Sequence, residues 1–321
     1  MMTTCKTFLI CHRGALGDFI LAWPAMLMLR KHFPEYRFIG LGRPEYMKLA
    51  VKLGLLEEFH DAESACMLDF FENGIIPESL GSPEKGILWL KDAGKTVELL
   101  KKNSNCSFAP IEPFPSEKIH VAKFHLREIL NYLKIKESFN PIELIPDNYF
   151  PAKNIILVHP GSGSSKKNYS PEFYLEAAKF AEDHFKAGRF RRNRRLRTDG
   201  SESHPYLKSD NFAAALEVKF ILGPVEIEKG IAKYFPDTRT LTPEHSSALA
   251  DLLCGTRLFI GNDSGVGHLA GFLGVPAIIL YKSTDPEIWG VVGRKTAYLK
   301  NPLEGHALKN LKDFFVSGNI F

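Results

Sequence analysis

The sequence predicts two α/β domains, each built on a parallel sheet, and three observations carry that reading. An unbroken apolar run, Thr7 to Cys11, passes through a glycine-bearing turn into a helical stretch and a second apolar run. The same strand, glycine loop and helix order restarts near residue 152. A length of 321 residues suits two domains of about 150 each.

Each element follows from its local pattern. Thr7-Phe8-Leu9-Ile10-Cys11 has the continuous apolar character of a strand buried on both faces. His12 to Asp18 form the turn. Phe19 to His32, apolar on most sides, reads as a helix against a sheet, and Arg37 to Leu41 as the next strand, which completes a βαβ unit. Prolines 77, 83, 110, 113 and 115 predict loops between short elements over residues 60–115, and helix returns near Ile119 to Leu133.

Pro141, Pro146 and Pro151 precede the second start, the strand Asn154 to His159. Ser170-Pro171-Glu172 predicts a helix with a serine cap, proline at its first position and an acid in its first turn. Further strands are expected at Val218–Leu222, Leu258–Ile260 and Ala277–Tyr281. The expected domains are 1–150 and 151–321, with a ligand in the cleft between them. Residues 187–211, basic and then polar, read as a surface insertion, with a patch for an anionic lipid-linked acceptor as the alternative.

Composition removes several function classes. Seven of the 41 basic residues lie between Lys186 and Arg197, leaving 34 against 37 acids, so the net charge of +4 is one segment and no nucleic-acid face is expected. The five cysteines (Cys5, Cys11, Cys66, Cys106, Cys254) are scattered, with no pair or histidine at zinc spacing. No apolar run nears the ~18 residues of a membrane span, and the first residues lack a signal-peptide pattern, so a cytoplasmic location is expected.

Three loops can carry chemistry. In Gly14-Ala15-Leu16-Gly17-Asp18, the glycines Gly14 and Gly17 allow close backbone approach, and Asp18 is either a helix cap or a carboxylate aimed at a ligand. The pattern is neither a dinucleotide fingerprint nor a P-loop. His159-Pro160-Gly161-Ser162-Gly163-Ser164-Ser165-Lys166-Lys167 offers backbone donors, hydroxyls and lysine charge to a phosphate, or is a plain turn. In Gly261-Asn262-Asp263-Ser264-Gly265-Val266-Gly267-His268, Asp263 and Ser264 can cap a helix starting near Ser264, and His268 lies one turn inside it, as ligand contact or core histidine. No Asp-x-Asp pair occurs, so no metal is expected and lysine and helix ends would neutralise a diphosphate.

Together these loops resemble glycosyltransferase family 9, the ADP-heptose:lipopolysaccharide heptosyltransferases. The matching pieces are Arg13 to Asp18 with Pro24, His159-Pro160-Gly161 with Lys167-Asn168-Tyr169, Leu222-Gly223-Pro224-Val225-Glu226, Gly261 to Gly265 with His268-Leu269-Ala270, and Thr284-Asp285-Pro286 with Trp289. The resemblance implies a GT-B fold, two Rossmann-like domains with parallel sheets facing an interdomain cleft, and an inverting, metal-independent reaction. It makes the last helix a candidate to pack back on the first domain. By the same resemblance Asp18 is the general base and Lys167 the donor-phosphate lysine, with Lys166 as fallback. Ser162, Ser264, Gly265 and His268 belong to phosphate-facing loops, Asp263 is a donor-sugar contact and Glu226 a ribose contact.

The implied partners are a nucleotide-sugar donor and a lipid-linked glycan acceptor at the inner membrane surface, with no cofactor. Tyr169 stands where the family commonly has tryptophan. Arg43, Lys91 and Arg127 are candidates to grip acceptor phosphates, against a reading as solvated surface. The alternatives are a glycosyltransferase with another sugar or acceptor, and a sugar-nucleotide binding protein without turnover.

Overall fold

The computed structural model describes residues 6–147, 153–187 and 215–317. Apart from Ala187, the basic insertion expected at 187–211 lies outside the described residues. Two compact units result. The first comprises Met1–Pro146, Glu244–Ala250 and Glu287–Val292; the second comprises Asp147–Pro243, Asp251–Pro286 and Gly293–Phe321.

In the first unit β1 (Lys6–His12), β2 (Tyr36–Gly42), β3 (Glu58–Asp61), β4 (Lys85–Trp89) and β5 (Ser107–Ile111) form one parallel sheet in the order β3-β2-β1-β4-β5. Its helices are α1 (Leu16–His32), α2 (Pro44–Lys52), α3 (Leu68–Asn73), α4 (Gly94–Asn103), α5 (Val121–Leu133) and α6 (Pro141–Leu144). Period-2 alternation sends Leu9, Cys11, Ile39, Leu41, Leu88 and Phe108 into one core with Phe70, Val97 and Leu100 of α3 and α4. The residues between them, among them Phe8, Ile10, Phe38 and Ile87, are buried too. Helices on both faces are why the strands read as unbroken apolar runs. Pro110, expected in a loop, lies in β5, an edge strand where a missing N–H costs no ladder bond.

The second unit repeats the plan. β6 (Ile155–His159), β7 (Glu217–Ile221), β8 (Thr240–Leu241), β9 (Leu258–Asn262), β10 (Ala277–Tyr281) and β11 (Thr296–Lys300) pair in parallel in the order β11-β10-β9-β6-β7-β8. The remaining helices are α7 (Pro171–Lys186), α8 (Pro224–Glu228), α9 (Ser246–Leu253), α10 (Gly265–Phe272), α11 (Pro286–Trp289) and α12 (Glu304–Val316). Ser170 caps α7 by accepting from Phe173 N at 3.3 Å, and Phe173, Tyr174, Ala177, Ala178 and Ala181 point into the sheet's core.

The last helix, α12, packs into the core of the second unit. Ala307, Leu311 and Phe315, spaced four apart on one stripe, enter the same core as α7. Residues 287–292 join the first unit instead. There Ile288, Trp289 and Val292 pack on Leu21, Val121 and Ala122, while His120 Nε2 lies 3.0 Å from Gly290 O.

Both sheets reverse strand order beside their first strand, between β1 and β4 and between β6 and β9. Ligands of open parallel sheets bind outside the carboxyl ends at such a reversal, because the loops there diverge to opposite faces. All three sequence-derived loops leave from those strands. No described helix is long and apolar enough to cross a membrane.

Candidate functional site

In the first unit, Asp18 occupies the third position of α1, half-buried, where the helix dipole favours a carboxylate. The cap position is Ala15, which has no capping side chain. His12 and Asp18 converge on Gly14. A Cβ at Gly14 would lie 2.8 Å from His12 Cε1 and 3.5 Å from Asp18 Oδ2, so a side chain there would press the imidazole and touch the carboxylate. Gly14 N–H in turn donates to His12 Nδ1 at 3.2 Å.

In the second unit the loops after β6 and β9 meet at the strand reversal. Lys167 Nζ lies 2.7 Å from Asp263 Oδ2, and His268 Nε2 lies 3.4 Å from Asp263 Oδ1. Asp263 therefore pairs with two side chains, and the cap of α10 falls to Ser264, whose Oγ accepts from Gly267 N. The amides of Gly265 and Val266, ahead of the first intrahelical bond, point out of the helix start.

Glu226 is buried and caps its own helix: Gly223 N donates to its Oε2 at 2.8 Å. Ser162 Oγ sits 2.6 Å from Asn168 Oδ1 and 2.7 Å from Ser164 O, so its hydroxyl serves the loop. The structure thus brings Lys167, Asp263, Ser264, Gly265 and His268 into one group. Glu226 and Ser162 are engaged in shaping the backbone beside it.

Residues 217–313, from β7 into α12, match the model of glycosyltransferase family 9 (heptosyltransferase). Over this segment the chain is similar to family 9 glycosyltransferases. The resemblance drawn from the motifs is borne out there. The solved structures that superpose on the chain include a family 9 glycosyl transferase from Veillonella parvula, at 17% identity and TM-score 0.65 over 100% of this chain and 93% of that one. The E. coli heptosyltransferase WaaC with ADP aligns at 15% identity and TM-score 0.68 over 98% of this chain and 100% of that one. E. coli ADP-heptose lps heptosyltransferase II gives 11%, 0.63, 97% and 99%. At such identities the superpositions establish the fold, which is GT-B. No curated protein matched the sequence.

Sequence reasoning missed Asn262, the buried hub of the loops after β6 and β9. Its Nδ2 lies 3.1 Å from Pro160 O and 3.1 Å from Asn168 Oδ1, and Tyr174 donates to its Oδ1 at 2.6 Å. An amide at the end of an otherwise apolar strand was the available signal, since a buried amide needs partners on both sides. His159 was read only as part of a motif. It is buried with Nδ1 3.5 Å from Ser264 Oγ and Nε2 3.9 Å from Glu226 Oε2.

Burial governs the electrostatics. It pulls His159 down to about 4 and raises Glu226, so the imidazole is neutral at pH 7 and their contact is not an ion pair. Burial alone would raise Asp263, but the hydrogen bond and charge of His268 and the ammonium of Lys167 outweigh it and hold the carboxyl at about 2. In the first unit, burial with His125 nearby takes His12 to about 3, and burial takes His125 to about 4.

Three histidines thus stay neutral when folded and would protonate near 6.5 when unfolded. Between those values the unfolded chain binds more protons, so stability rises with pH there and is lost on acidification. We expect Tm to fall as pH drops from about 6.5 to 4, Asp263 adding to the loss below 3.8, with no contribution from these groups above pH 7. A Tm constant from pH 7 to 4.5 at fixed ionic strength would contradict this.

Gly161 has no room for a side chain: a Cβ would lie 1.8 Å from Glu226 Oε1. Gly161→Ala is expected to cost about 1–3 kcal/mol, as overpacking does, and to lower Tm by several degrees. Combined with Glu226→Ala it should cost less than the two single changes together, because the second removes the clash. Additive losses in denaturant titrations would refute the contact.

Proposed function

We propose that the chain is an inverting, metal-independent glycosyltransferase that moves a heptose or a related sugar from an ADP-sugar to an acceptor of the lipopolysaccharide inner-core type. The observation that carries the reading is the Lys167–Asp263–His268 group at the open start of α10, on the strand reversal of the second sheet. An ammonium has three donors; Asp263 takes one, and two remain for a diphosphate. The amides of Gly265 and Val266 and the dipole of α10 add positive potential where charge grows on the leaving group. The ADP named in the solved WaaC complex makes adenine the base to test first.

In the reaction the acceptor oxygen attacks the anomeric carbon, its proton passes to the Asp18 carboxylate, and the carbon–oxygen bond to the diphosphate breaks with its electron pair leaving on ADP. Attack opposite the leaving group inverts the anomeric centre. A lipid-linked acceptor places the protein at the inner face of the cytoplasmic membrane as a peripheral, cytoplasmic enzyme. The deciding experiment is a panel of nucleotide sugars. An ADP-sugar at a hundred times its Kd should add about 2.7 kcal/mol of stability, UDP- and GDP-sugars much less, and transfer should persist in excess chelator. Failure of every ADP-sugar to stabilise the protein would remove the donor assignment, and loss of transfer on chelation the metal-free one.

A further inference from the structure

We propose that Lys282 is a positioning residue for the second unit's lysine site: its ammonium ties the segment that carries Lys167 to the carboxyl end of β10 and so fixes where Lys167 stands. That this sets the affinity for a nucleotide-sugar donor rests on the glycosyltransferase reading. Lys282 directly follows β10, in the loop that leads to α11. Its Nζ donates to Asn168 O at 2.8 Å, and the same ammonium lies 5.3 Å from the centroid of the Tyr169 ring. Asn168 and Tyr169 are the two residues after Lys167, which ends the one-turn helical segment Ser165–Lys167.

Among the described residues no carboxylate pairs with Lys282, so a backbone carbonyl and an aromatic face hold its charge. A surface lysine ordinarily turns its ammonium to water; this half-buried one turns it to the loop after β6. Its bond also closes a ring of contacts. Lys167 Nζ reaches Asp263 Oδ2 at 2.7 Å, and Asp263 N donates to Leu280 O at 3.2 Å. Leu280 lies two residues before Lys282, which returns to the residue after Lys167. The loops after β6, β9 and β10 thus hold one another, and Lys282 is the link from the third back to the first.

Other groups of Asn168 and Tyr169 are engaged as well. Ser162 Oγ and Asn262 Nδ2 lie 2.6 and 3.1 Å from Asn168 Oδ1. Tyr169 N donates to the Tyr174 hydroxyl at 3.1 Å, its own hydroxyl donates to Asn301 O, and its ring stacks on Phe173 with centroids 4.4 Å apart. These contacts are neutral. Lys282 adds the charged one, and a hydrogen bond from an ionised donor is about twice as strong as a neutral one. Lys167 carries its ammonium on a flexible four-carbon stem, so the place of its backbone decides where the charge can reach. Holding the next peptide unit in advance lowers the ordering that a bound anion would otherwise have to impose.

The test uses the full chain and two readouts. Hydrogen exchange without any ligand reads the tether: Lys282→Met should speed exchange in the peptide spanning residues 164–170 and leave peptides of α5 unchanged. Calorimetry with ADP reads the consequence: Lys282→Met should weaken binding about tenfold, the size of one charge-assisted hydrogen bond. Lys282→Arg keeps a charged donor for Asn168 O and a cation for the Tyr169 ring, and should bind ADP close to the parent. In a Lys167→Met background Lys282→Met should cost no further ADP affinity, because it acts through the lysine already removed. Unchanged exchange in Lys282→Met would overturn the tether. Losses that add would overturn the positioning role and make Lys282 a direct contact of the nucleotide. Should Lys282→Met fail to fold, the arginine variant decides: parent-like ADP binding supports the role, and binding as weak as in Lys167→Met at unchanged Tm overturns it. A parent chain that binds no ADP, while Lys282→Met still loosens the loop, would count against the proposed function and leave the tether standing.

Discussion

Asp18→Asn is expected to lower kcat by about 10²–10⁴-fold, the usual contribution of a positioned general base, while donor binding stays unchanged. The substitution conserves shape, which matters at this place because the Asp18 side chain lies beside Gly14. An amide of the same outline keeps those contacts but cannot accept the proton of the attacking hydroxyl. The loss should therefore fall on the chemical step and leave Tm and the ADP thermal shift near wild type. Single-turnover kinetics with saturating donor separate the two. If the asparagine variant transfers sugar at close to the parent rate, Asp18 has no part in proton removal, and the first-turn carboxylate is serving the helix dipole alone.

The elements that frame this site were legible because they rest on local rules. Unbroken apolar runs gave β1, β6, β9 and β10, and Ser170 with Pro171 gave the start of α7, since a hydroxyl cap and a proline at the first position need only neighbours in the chain. The first sheet beyond β1 and β2 was harder. β3 is four residues long and only partly buried, and β5 carries a proline that argues against a strand until its edge position is known.

Roles set by long-range contact could not be read at all. Asp263 looked like a cap from its place before α10, and the neighbouring Ser264 proved to be the cap, because Asp263 meets Lys167 across 96 residues of sequence. The same limit hid Asn262, whose partners lie on the loop after β6. Arg43 and Lys91 are legible only as candidate phosphate cations weighed against solvated surface, and Arg13 only as part of a motif; the strand order gathers the three in one cleft.

Lys167→Met should reduce kcat/KM by about 10²–10³-fold, the scale on which removal of one preorganised charge donor acts in a desolvated site. The complication is that Lys167 has two jobs open to it. It neutralises Asp263, whose side chain is almost wholly buried, and it is the candidate to hold the donor diphosphate. Removing the lysine leaves that carboxylate with His268 alone, which should also lower stability.

Pairing the change with Asp263→Asn separates the roles. The double variant has no buried charge to compensate, so Tm should recover most of what Lys167→Met loses. Transfer and ADP affinity should stay low, because the ammonium that faces the diphosphate is still missing. Should the double variant regain ADP binding along with stability, Lys167 acts only as the counter-ion of Asp263, and the diphosphate is held by the amides of α10 without it.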